Sequence, residues 1–103
     1  MTSMGVATDI RTDLVRRIAA IEWRGGPNRI AAEVDAVRAL ANRHQMLPVV
    51  TVAHLLASAL SRGEHGALVH SWLGILREAA ASERQDAAAS DAFAAACHVR
   101  FAA

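Results

Sequence analysis

Five histidines, one cysteine and ten carboxylates are the groups in this 103-residue chain with the most reactive side chains. Their spacing leaves little room for metal or hydrolytic chemistry. His65 and His70 stand five residues apart, about 140° around a helix, so one helix face cannot offer both to a metal ion. Cys97 is alone, which excludes an intrachain disulfide and a thiolate zinc site built from this chain. Ser58 follows His54 by one turn, with no carboxylate placed to orient the imidazole, so a hydrolase site is not indicated. Gly25-Gly26-Pro27 lacks the lysine and serine of a phosphate-binding loop and reads as a turn. No metal and no cofactor are expected.

His54 differs from the other histidines in its neighbours. On a helix through this segment, Val50, His54, Ala57, Ser58 and Ser61 share the face opposite Leu56 and Leu60. Small side chains around an imidazole leave it open to another protein's active site. An imidazole is largely neutral at cytoplasmic pH and therefore nucleophilic, which suits a phosphoryl acceptor whose partner brings the metal ion and the donor group. His54 is thus the candidate phosphoacceptor, with Val50, Ala57, Ser58, Ser61 and Arg62 as its docking surface. His44 is expected beside the last carbonyls of a helix, His65 lies with Glu64 in a turn, and His70 and His98 have no evident partner. Trp23 and Trp72 read as core or interface anchors, and Cys97 as a small core residue.

Helical spacing defines the elements that must position His54. Thr8 or Asp9 is the expected N-cap of a first helix that aligns Ile10, Leu14, Ile18 and Ile21 and ends at Gly25-Gly26-Pro27. Asn28 is expected to cap a second helix carrying Ile30, Val34, Val37 and Ala41. Pro48 suits the first turn of a third, and Gly63 the left-handed residue that closes it. A fourth, about Gly66 to Glu83, places Val69, Trp72, Leu73, Leu76 and Ala80 on one stripe and is expected to be the most buried. A final segment follows an alanine-rich join around Ala87 to Ser90 and aligns Phe93, Cys97 and Phe101. No stretch alternates as a strand would, and short links imply antiparallel neighbours. The expectation is an all-α, up-down antiparallel helical bundle of four to five helices, with residues 1–7 a flexible N-terminus and residues 8–103 a single domain.

Composition narrows the functional classes. Aromatic residues are only 4% of the chain, so the apolar content is mostly alanine, leucine and valine, which favours close helix packing over a large catalytic cleft. Eleven basic residues against ten acidic ones are scattered without a run of either sign, so neither nucleic acid nor an anionic membrane is a favoured partner. Residues 1–8 lack the basic and apolar regions of a signal peptide, and Met46 to Leu60 is interrupted by Thr51, His54 and Ser58. A soluble, cytoplasmic protein is expected.

The segment Ala53-His54-Leu55-Leu56-Ala57-Ser58-Ala59 resembles the phosphoacceptor motif of histidine-containing phosphotransfer domains. In that family a leucine stands two residues after the histidine, followed by lysine and small residues. Leu56 and Ser58 match, whereas Ala57 stands where the lysine is usual. The layout is similar over roughly residues 28–102: a preceding helix, a helix with the histidine at mid-length, a glycine turn, and a helical hairpin completing the bundle. The resemblance implies a relay intermediate in two-component signalling rather than a classical enzyme. Its partner would be a response-regulator receiver domain or a histidine kinase, and Arg62 would be the best available charge for the phosphate.

Three alternatives use the same residues differently. Asp35-Ala36-Val37-Arg38-Ala39 fits the same motif with aspartate for histidine, which would make the chain a docking relative that cannot be phosphorylated. Leu40 to Leu56 resembles a helix-turn-helix, with Gln45 at the turn-glycine position and Pro48, Val49 and Val50 facing DNA, poor readers of bases. A helical interaction or homodimerisation module without chemistry would gather Val50 and Leu55 into one exposed apolar patch.

Overall fold

The computed structural model describes residues 2–101, with side chains from Ile10 onward. It has five helices, α1 (Thr2–Ala19), α2 (Pro27–Arg43), α3 (Leu47–Ser61), α4 (Ala67–Ala81) and α5 (Ala87–Phe101), and no strand among the described residues. The fold is an all-α helical bundle. No helix among the described residues is long and apolar enough to cross a membrane.

The apolar stripes explain which helices meet. α1 packs on α4 and α2, α2 on α3, and α3 on α4, so α1 to α4 close a ring in which short links make neighbours antiparallel. Leu14, Val34, Val37, Val49, Val52, Leu56 and Leu76 meet inside it at 0% exposure. Each such side chain contributes about 1.5–3 kcal/mol through its removal from water. α3 and α4 bury seven residues each, and α3 is the hub because it also carries α5.

α5 stands outside the ring. The Leu47 N–H donates to the Gln85 carbonyl near the starts of α3 and α5, the Thr51 and Ser90 hydroxyls bond to each other, and Ser58 and Arg62 share a cleft with Cys97 and His98. These contacts advance together along both helices, so α5 runs parallel to α3. That sense keeps α5 antiparallel to α4, as an up-down bundle requires, but α5 packs chiefly on α3 rather than pairing with α4 as the expected hairpin: α1 already flanks α4 and completes the ring, leaving the outer side of α3 for the last helix.

Several helix ends also differ from expectation, each for a local reason. α1 is already helical at Thr2, so Thr8 and Asp9 lie within it, and residues 2–7 belong to the helix expected to follow them; Met1 lies outside the described residues. α1 stops at Ala19, and Ile21 reaches the core from the following loop. Gly26 is the N-cap of α2 with Pro27 in its first turn, placing Asn28 inside the helix. α5 begins at Ala87, in the stretch expected as a join, because the Asp86 carboxylate accepts the Ala89 N–H at 2.9 Å as an N-cap. The expected cap at Gly63 is present: its φ is 92°, and Gly63 and Glu64 donate to the carbonyls of Leu60 and Ala59. α2 ends in the same pattern, with Gln45 and Met46 donating to Asn42 and Ala41, but Gln45 occupies the left-handed position at φ 57°. A non-glycine residue there costs about 1 kcal/mol.

Candidate functional site

Pro48 opens α3 and the Gly63 cap closes it, so His54 sits at mid-helix on a rigid element. The core stripe of Val49, Val52, Leu56 and Ala59 holds the opposite face inward. His54, Ala57 and Ser61 are consequently exposed, and Val50 and Ser58 are half-buried at the edges of the same face. No side-chain hydrogen bond engages the His54 imidazole among the described residues. The Ser61 hydroxyl donates back to the Ser58 carbonyl at 2.9 Å, which shortens its effective reach from the surface.

Arg62 belongs to a different cluster. It lies eight residues after His54, about 12 Å along the helix axis and 80° around it. Its guanidinium donates to Glu64 Oε2 at 3.1 Å, and Glu64 Oε1 accepts from Trp72 Nε1 at 3.1 Å. Glu64 therefore ties the end of α3 to the buried tryptophan of α4. Trp72, 1% exposed, stacks on Phe101 with ring centroids 4.0 Å apart and planes 12° from parallel. A cleft of about 270 Å³ opens beside this assembly, between Leu55, Ser58 and Arg62 on one side and Trp72, Cys97 and His98 on the other. Of the expected docking residues, Ser58 and Arg62 thus turn toward α5, while Val50, His54, Ala57 and Ser61 remain together.

The other candidate residues are placed clearly. Asp35 accepts a bond from Arg38 at 2.6 Å on exposed α2. Pro48 and Val49 are buried, so they cannot form the base-reading surface of the helix-turn-helix register, although Gln45 does take the positive φ of its turn. Val50 and Leu55 are half-buried against the core rather than gathered in an open patch. His44 caps α2 through its backbone N–H, which reaches the Ala41 carbonyl. His70 has a partner the spacing did not suggest: its ring lies 5.1 Å from Trp23, whose face is also covered by Arg24 at 4.4 Å. Cys97 is 1% exposed, and burial raises its thiol above the ordinary 9.0 while Arg100 opposes this weakly, so it stays protonated near neutral pH. Among the described residues, no three of His, Cys, Asp or Glu gather as metal ligands.

Sequence reasoning missed Glu64 and Asp86. Asp86 preceding an alanine run is a readable N-cap signal, whereas nothing local marks Glu64 as the acceptor for a tryptophan eight residues later. No family model, no curated protein and no solved structure matches this chain.

Proposed function

We propose that this chain is a phosphotransfer-like docking adaptor in which the outer face of α3 meets a receiver domain and His54 carries the phosphoryl group. One observation supports the reading above others: His54 is exposed at the middle of a rigid helix, unengaged by any described side chain and flanked by Ala57 and Ser61. In the reaction, the unprotonated imidazole nitrogen attacks phosphorus of an aspartyl phosphate on the partner. The P–O bond to the carboxylate breaks, a P–N bond forms, and the imidazolium gives its remaining proton to water. The metal ion that neutralises the phosphate belongs to the partner.

A second reading, an interaction module that uses the same face without chemistry, draws on the engagement of Arg62. The cation expected to stabilise the phosphate is held by Glu64 instead. The experiment that separates the two is treatment of the purified chain with a phosphoramidate donor, followed by phosphorus NMR. The proposal predicts a phosphohistidine signal that His54→Ala removes. Absence of that signal, or its persistence in His54→Ala, leaves the non-catalytic docking module.

A further inference from the structure

The ring formed by α1 to α4 closes without help from α5, and Cys97 is the one α5 residue in the main buried cluster. α5 lies along α3 and reaches α4 through the Phe101–Trp72 stack. The 270 Å³ cleft runs under its C-terminal half, where missing neighbours forfeit dispersion contacts. Its outward side carries Val99 at 85% exposure and nothing among the described residues covers it. The link before it is held differently. Gln85 Nε2 donates to the Ala79 and Ser82 carbonyls at 2.8 Å each, and Arg11 donates to the Ser82 carbonyl at 3.2 Å. Residues 82–85 are thereby fastened to the ring, which places a pivot at the start of α5.

We infer that α5 is a detachable strap, opening as a unit from a ring that stays folded and uncovering Thr51, Leu55, Ser58 and the face of Trp72. For this the Thr51–Ser90 hydroxyl pair and the Phe101 stack must break, and Phe93 and Cys97 must leave their packing against the core. The uncovered strip adjoins the His54 face of α3, so opening enlarges the area available to a docking partner. Only that consequence rests on the proposed function; the opening itself is independent of any chemistry at His54.

Cys97, the single cysteine and 1% exposed, reports the opening. The full chain is treated with a thiol-reactive disulfide at pH 8 across urea concentrations below the unfolding transition, with global unfolding followed by circular dichroism. Local opening exposes far less surface than unfolding, so the labelling rate should depend only weakly on urea and exceed the rate that global unfolding permits. Phe101→Ala should speed labelling by about tenfold, the equivalent of losing one aromatic contact and part of its burial. Ile18→Val, on α1, should lower global stability and leave labelling unchanged. The inference is overturned if labelling in the unmodified chain has the full urea dependence of unfolding, if it never occurs short of unfolding, or if Ile18→Val speeds it as much as Phe101→Ala. The urea dependence of the unmodified chain decides even where a variant folds poorly.

Discussion

The four-helix ring and α5 are both helical but are held in different ways. Inside the ring, branched side chains from four directions meet at no exposure, so removing any one leaves a hole that its neighbours cannot fill. α5 has seven alanines in fifteen residues, which make it helical by propensity while giving it little to bury. Its attachment rests on Phe93, Cys97 and Phe101 at successive turns and on one hydroxyl pair. Helix formation and helix docking are therefore separable in this chain: composition secures the first, and a few side chains secure the second.

Substitutions should separate the two regions. Leu56→Ala removes a fully buried side chain from the hub helix and should cost about 2–5 kcal/mol, lowering ring and α5 together in urea unfolding. Loss confined to α5 would break the comparison. Thr51→Ala should cost about 1 kcal/mol by leaving the Ser90 hydroxyl without its partner. That loss should appear as faster Cys97 labelling with an almost unchanged unfolding midpoint. Gln45→Gly relieves a left-handed side chain at the end of α2 and should stabilise the ring by up to about 1 kcal/mol, with labelling of Cys97 unaltered.

The smallest expected effect is a pH response local to α5. The Ala89 N–H, and then Arg84, hold the Asp86 carboxyl below its ordinary 3.8. A depressed value in the folded state means that its stabilisation is complete above about pH 4 and is lost as pH falls through the depressed value. NMR shifts of the Ala89 and Ser90 amides should report this loss at the start of α5. Asp86→Asn keeps a capping oxygen without the charge and should abolish that titration.

The two regions also differ in how legible they were. Ring helices announce themselves because Ile30, Val34, Val37 and Ala41, or Val69, Trp72, Leu73 and Leu76, repeat with helical spacing and are buried as that spacing requires. The packing partner of α5 had no such signal, because it depends on which flank α1 leaves open. The exposure of His54 was readable from its small neighbours. The engagement of Arg62 was not, since it depends on a turn bringing Glu64 between an arginine two residues before it and a tryptophan eight residues after it.

Residue-resolved amide hydrogen exchange on the full chain tests the division most directly. If the ring and α5 are separate cooperative units, the internally bonded amides of α5 share one opening free energy that lies below the values for Leu56 and Leu76. Exchange of α5 amides at the same free energy as those core positions would contradict it, making the five helices a single unit with no strap to open.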